Sequence, residues 1–198
     1  EISACLVGSE MCIRDSGERD QVRTKVTNLG NFVADAFLDK AKMAKATLAI
    51  INGGSIRESI KAGKISLEQV LQAMPFGNDI VVFDLTGDQI IAALENGVSQ
   101  VESKAGRFPQ VSGMRFTWNP KAQPGSRIMQ VEIKTAGGYE PINPKITYRL
   151  VTNAFLYGGG DGFSSFQKGT NTEYLGFVDY EILLEYIMKN SPLDARFE

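Results

Sequence analysis

Three short segments combine residue types able to recognise a small polar ligand with chain turns that hold them in place. The first is Asn52-Gly53-Gly54-Ser55-Ile56-Arg57. Its paired glycines let the backbone come close to a ligand and expose N–H groups. Asn52 adds an amide, and Arg57 adds a five-donor fork that matches phosphate or carboxylate. Taken alone, this pattern is equally that of a tight turn with a surface arginine. The second segment, Met74-Pro75-Phe76-Gly77-Asn78, sets an aromatic between Pro and Gly. There it either plugs the edge of a core or walls a flat ligand. The third runs from Asn153 through Phe155 to Phe163, with Gly158, Gly159, Gly160 and Gly162 around Asp161. Glycines at this density force positive φ and hold the carboxylate in one place. A carboxylate accepts hydrogen bonds only, so it suits a pair of sugar hydroxyls or a metal ion. The same run also reads as an Asx turn between strand and helix. Together the segments offer two loop aromatics with Asn52, Arg57 and Asp161, the set that a nucleobase and its ribose require.

Composition narrows the chemistry. The chain has 198 residues and no histidine. That excludes an imidazole general base, Ser-His and Cys-His pairs, and histidine metal ligands. A net charge of -2 supplies no basic surface, so nucleic acid is not an expected partner. No window approaches the roughly 18 apolar residues of a membrane helix, so no membrane contact is expected from this segment. At 43% hydrophobic the chain can build the core of one domain. Residues 1–16 show neither helical nor strand periodicity, and Met11–Ser16 (MCIRDS) resembles a translated transposase-type sequencing adapter. They are set aside as foreign, leaving residues 17–198 as the domain. Both cysteines, Cys5 and Cys12, lie in the excluded stretch, so the domain needs no disulfide.

The elements that must position the three loops are legible in outline. Leu29, Phe32, Val33, Ala36, Phe37 and Lys40 follow helical spacing, with Thr27 or Asn28 as cap. Thr47–Ile51 and Asp79–Leu85 read as buried strands that flank a short helix opened by the capping box Ser66-Leu67-Glu68-Gln69. A second box, Thr86 to Gln89, opens a helix that runs to Val98. Val111–Trp118 and Ile128–Lys134 flank a Pro/Gly turn and predict a hairpin. Ile146–Thr152 is another strand, and Asp179–Met188 a last helix. Helices and strands mix without strict alternation. The expected fold is therefore α+β of the α/β type: a single domain with a mixed β-sheet and packed helices.

Six motifs in fixed order resemble the C-terminal domain of the 5'-nucleotidase and UDP-sugar hydrolase family. They are RTKVTNLGN from Arg23, NGGSIR from Asn52, MPFGN from Met74, LTGDQI from Leu85, FPQVSGMRF from Phe108 and NAFLYGGGDGF from Asn153. The resemblance runs from about Arg23 to the last helix. It implies that Phe76 and Phe155 sandwich a base, and that Asp161 and Arg57 hold ribose hydroxyls. It further implies that Asn52, Arg57 and Arg23 face the phosphate end, that Gly54 brings backbone near the base, and that Asn78 touches the base edge.

The same resemblance implies a hydrolase whose chemistry lies elsewhere. Family members cleave phosphate esters with two divalent metal ions in an N-terminal metallophosphatase domain built largely from His and Asp. No stretch here is similar to that domain. The chain is thus expected to be the substrate-recognition part of a larger enzyme, truncated at both ends, with a nucleotide or nucleoside and the missing domain as partners. It is expected to hold no metal or other cofactor of its own and to carry no catalytic residue. A periplasmic or extracellular setting is implied as well. The alternatives are a stand-alone nucleoside- or nucleotide-binding module, and a piece of a 2',3'-cyclic-nucleotide phosphodiesterase.

Overall fold

The computed structural model describes residues 17–60 and 65–191. The expectation that residues 1–16 are foreign lies outside them, as does the end of the assigned domain. A short helix α1 (Arg19–Val22) leads into α2 (Asn28–Ala41). Thr27 is the N-cap of α2, its hydroxyl accepting from the Gly30 N–H at 3.0 Å. Then come β1 (Leu48–Asn52), α3 (Leu67–Ala73), β2 (Asp79–Thr86) and α4 (Gly87–Gly97). Both expected capping boxes form, Ser66 with Gln69 and Thr86 with Gln89. Each satisfies two N–H groups that a helix start otherwise leaves unpaired.

The second half adds β3 (Pro109–Ser112), β4 (Met114–Trp118), β5 (Ile128–Thr135), β6 (Gly138–Pro141) and β7 (Thr147–Asn153). It ends with α5 (Ala154–Tyr157), β8 (Thr170–Val178) and α6 (Asp179–Lys189). Here one expectation is corrected: Val111–Trp118 is not one strand. Gly113 sits at φ +73°, and a Cβ there would lie 2.1 Å from the Thr47 carbonyl oxygen. Only glycine fits that bend, and at it the chain leaves one sheet for another. β3 ends in a five-stranded sheet of order β3-β1-β7-β2-β8, whereas β4 starts a three-stranded antiparallel sheet of order β4-β5-β6. The predicted hairpin is the β4/β5 pair. β6 and β8 carry no sequence prediction. β6 is a fully exposed edge strand containing Gly138 and Pro141; β8 is the polar, irregular edge of the large sheet.

The large sheet is mixed, with β1 and β7 parallel and the other neighbours antiparallel. Ala49 and Ile51 join a core with Phe32, Phe37, Val70 and Leu183 from α2, α3 and α6. Leu48 and Ile50, pointing the other way, join a second core with Ile90 and Leu94 of α4 and Val131 and Ile133 of the small sheet. Both faces are covered, and for that reason β1 is a continuous apolar run rather than an alternating one. Parallel β1 and β7 end together at Asn52 and Asn153, and antiparallel β2 starts at the same end just after Asn78, with Ile80 opposite Asn153. The three polar loops thus meet at one end of the sheet, where open sheets place their ligands.

Candidate functional site

At that end lies a cavity of about 300 Å³, lined by Arg23, Asn52, Gly54, Arg57, Phe76, Asn78, Phe155 and Asp161, joined by Ser55 and Gly106. All eight residues singled out from sequence therefore face one space, although they come from positions 23 to 161. The volume is at the lower bound of small-molecule sites. Phe76 is 51% exposed and Phe155 48% exposed, so neither ring plugs a core. Each keeps roughly half of its surface toward solvent and the cavity, a costly arrangement unless a ligand covers it. Phe155 is backed by Gly160, where a Cβ would come within 2.6 Å of the ring.

Asp161 owes its position to the glycine run. Gly159, Asp161 and Gly162 have φ of +89°, +53° and +82°, a sequence of left-handed residues that turns the aspartate back over the sheet end. Its Oδ2 accepts from Asn52 Nδ2 at 2.7 Å. Behind that contact the buried Asn52 carbonyl accepts from the Ser55 hydroxyl and from Asn153 Nδ2. Asn153 in turn caps α5, its Oδ1 accepting from the Leu156 N–H at 2.9 Å. The geometry gives Asn52 the task of holding Asp161; its amide oxygen is spent inside the protein. From the other side Asn96 Nδ2 donates to the Asp161 carbonyl at 3.1 Å, and Arg107 donates to Asn96 Oδ1. Gly54 and Gly106 touch, the Gly54 N–H donating to the Gly106 carbonyl at 2.7 Å. A side chain on Gly106 would crowd Asp161 Oδ2 at 3.2 Å.

Arg23 follows α1, 8% exposed. Its Nη1 donates to the Lys104 carbonyl at 3.3 Å, and its buried Nε has no hydrogen-bond partner among the described residues. Burial lowers its pKa from the ordinary arginine value, the neighbouring Arg19 and Arg57 lower it further, and Asp161 acts in the opposite sense. Arg57 is exposed, its guanidinium carbon 5.2 Å from the centre of the Phe76 ring. Two guanidinium groups against one carboxylate make this end of the cavity suited to an anion. The backbone on either side of Arg23 is held by Gln110, a buried β3 residue whose Nε2 donates to the Val22 and Lys25 carbonyls, both at 2.9 Å, and whose Oε1 accepts from the Thr27 N–H at 3.0 Å. One side chain thus straps the Val22–Thr27 segment to the sheet, seated over Gly30, which has no room for a Cβ.

Asn78 donates from Nδ2 to Asp179 Oδ2 at 3.0 Å. Asp179 opens α6 and is fully buried. Burial pushes its carboxyl above the ordinary aspartate value, opposed by hydrogen bonds from the Asn78 side chain and from backbone N–H groups.

Sequence reasoning left out Ser55, Asn96, Gly106, Gln110, Asn153 and Asp179, which hold or border the site. Only Asn153 carried a local signal, as a capping residue ahead of a short helix. Ser55 bonds within its own loop, three residues from Asn52, and the rest reach the site by contacts far along the chain. Among the described residues no group of three or more His, Cys, Asp or Glu could hold a metal ion. The described residues therefore supply no ligand set for the metal pair that the resemblance assigns to another domain.

Comparison with known proteins agrees with this fold. Residues 8–168 match the family described as 5'-nucleotidase, C-terminal domain. The chain is 51% identical over 175 residues to the trifunctional nucleotide phosphoesterase YfkN of Bacillus subtilis, covering 87% of this chain and 12% of that protein. It is 38% identical over 182 residues to protein UshA of Escherichia coli, covering 92% of this chain and 31% of UshA. Its structure superposes on that of a 5'-nucleotidase precursor from Thermus thermophilus with a TM-score of 0.86 and 42% identity, covering 98% of this chain and 38% of that one. The chain belongs to the 5'-nucleotidase C-terminal domain family, and it spans between 12% and 38% of the length of these relatives.

Proposed function

We propose that this chain is the substrate-recognition domain of a nucleotide phosphohydrolase and that its cavity binds the base and ribose of a nucleotide. One observation carries the reading: two half-exposed phenyl rings, a carboxylate held at a fixed place and a pair of guanidinium groups line a single cavity. Phe76 and Phe155 stack on the base. Asp161, steadied by Asn52, accepts from the ribose hydroxyls, while Arg57 and Arg23 face the phosphate. Binding energy from the base then positions a scissile ester that lies outside this domain. The reactive centre, with the two divalent ions such enzymes use, belongs in this reading to a metallophosphatase domain outside the chain.

The 51% identity with a trifunctional nucleotide phosphoesterase favours action on more than one kind of nucleotide ester. Hydrolysis of 2',3'-cyclic nucleotides is the second reading of that breadth. Among the described residues no helix is long and apolar enough to cross a membrane. A relative described as a precursor favours a periplasmic or extracellular setting.

Titration calorimetry with adenosine, adenine and AMP tests the site. Asp161→Asn should weaken adenosine more than free adenine, and equal losses would remove Asp161 from sugar recognition. The chain by itself should not hydrolyse AMP. Turnover by chelator-treated, metal-reloaded material would overturn the division of labour.

A further inference from the structure

We propose that Gln110 is a positioning residue for Arg23: it fixes the turn that carries this arginine, and so sets how strongly the cavity separates a ligand with a phosphate from one without. The inference rests on the reading of the cavity as a nucleotide site with Arg23 at its phosphate end.

Arg23 has little to keep it over the cavity by its own contacts. It is 8% exposed, yet among the described residues its guanidinium makes a single hydrogen bond, to the Lys104 carbonyl at 3.3 Å. Burying a cation is costly unless partners replace the lost water, and an arginine on a loose connection turns its head to solvent. The connection here is the turn 23–27 between α1 and α2. Its own backbone bonds run back to α1, from the Thr24 and Lys25 N–H groups to the Gln21 carbonyl. The side chain that ties it to the large sheet is Gln110, fully buried on β3. Both N–H groups of an amide nitrogen can donate, and Gln110 Nε2 bonds the carbonyl just before Arg23 and the one two residues after it. Its Oε1 closes the turn by accepting from the Thr27 N–H. Two glycines clear the space. A Cβ on Gly30 would strike the Gln110 amide, and one on Gly53 would strike the Val22 carbonyl. Gly53 is thereby explained by the arginine segment rather than by a ligand. Three motifs far apart in the chain, RTKVTNLGN, NGGSIR and FPQVSGMRF, thus build one junction. That junction orders Arg23 when the protein folds, so an incoming anion need not order it. Gln110 does this through the backbone and is not among the cavity's lining residues.

Calorimetry on the full chain with AMP and adenosine tests this, because the two share base and ribose and differ by the phosphate. AMP should bind the wild type more tightly by about tenfold or more, the worth of a hydrogen bond to a charged group. Gln110→Met keeps the length of the side chain and removes all three of its bonds. The gap between the ligands should narrow about fivefold, while adenosine affinity stays within about twofold of the wild type. Arg23→Met should narrow the gap as far. Gln110→Met added to it should narrow the gap no further, because the glutamine acts only through the arginine. Gly30→Ala decides the matter if circular dichroism shows that Gln110→Met does not fold. Its methyl meets only the end of a flexible side chain and favours the helix, so it displaces the Gln110 amide from the other side and should narrow the gap in the same way. A gap that persists in the folded variant, an adenosine affinity that falls as far as that of AMP, or a further loss in the double variant overturns the assignment. If the wild type binds AMP no better than adenosine, Arg23 faces no phosphate, and that part of the proposed function falls together with this inference.

Discussion

The two ends of the large sheet carry polar clusters of similar make-up and opposite character. At the end away from the cavity, Arg149 of β7 donates from Nε to the Ala44 carbonyl, from Nη1 to Asp84 and the Asn171 carbonyl, and from Nη2 to Glu173. Asn171 also donates to the other oxygen of Asp84. Each nitrogen of this guanidinium has a partner, and the cluster ties β7, β2, β8 and the turn that ends at Ala44 together. At the cavity end, among the described residues, the buried Arg23 Nε has no partner and Arg57 has no ion pair. Carboxylate and aromatics there are held from behind and open in front. Polar groups satisfied on every side hold a fold together, whereas polar groups satisfied only from behind still have capacity for a further partner.

That contrast can be broken or sharpened experimentally. The largest expected effect is on binding: Phe155→Ala and Phe76→Ala should each lose about 1–3 kcal/mol of adenosine affinity, the worth of one stacking face. Both rings are half-exposed, so the midpoint of thermal unfolding should hardly move; a large drop in that midpoint with affinity intact would reverse the contrast. Arg149→Met should do the opposite, costing about 2 kcal/mol of stability through lost charged hydrogen bonds and leaving adenosine affinity unchanged, as urea unfolding and calorimetry together would report. Asn153→Ala belongs to both regions. It removes the α5 cap, at about 1 kcal/mol, and loosens the Asn52–Asp161 contact, so stability and affinity should fall together.

The smallest effect is on pH dependence. Asp35 of α2, which accepts a hydrogen bond from Ser112, has its carboxyl pushed above the ordinary aspartate value by burial. The folded state then holds that proton more tightly than the unfolded state. Stability from this group is present at low pH and is lost as pH rises from the ordinary aspartate value through the raised one. The stability of the wild type relative to Asp35→Asn should decline across that window and then level off. A difference flat with pH would show that burial does not govern this carboxyl.

Much of the scaffold was legible because its signals are local. Capping at Thr27, Ser66 and Thr86 depends on side chains three residues from the N–H groups they satisfy. The strands β1, β2 and β7 depend on runs of β-branched and apolar residues. The failures had a common origin in context. Gly113 reads as one more residue of a strand until the Thr47 carbonyl behind it is known. β8 is polar and bulged, with Gly176 at φ +71°, and becomes a strand only because the edge of β2 is there to pair with it. Gln110 looks like any polar strand residue, yet it straps the segment bearing Arg23.

Residue types alone determined the chemistry on offer: loop aromatics, a carboxylate among glycines, arginines, and no imidazole. They also determined the family, through motifs whose order no single turn explains. Only the tertiary structure decided that residues from 23 to 161 share one cavity, and which of them hold a neighbour in place. The physical reason is that hydrogen-bond satisfaction is a property of a buried group's surroundings. Asn52 is bonded to Asp161 and Asn78 to Asp179, and the backbone on either side of Arg23 is bonded to Gln110, partners that lie dozens of positions away and are brought near by the sheet.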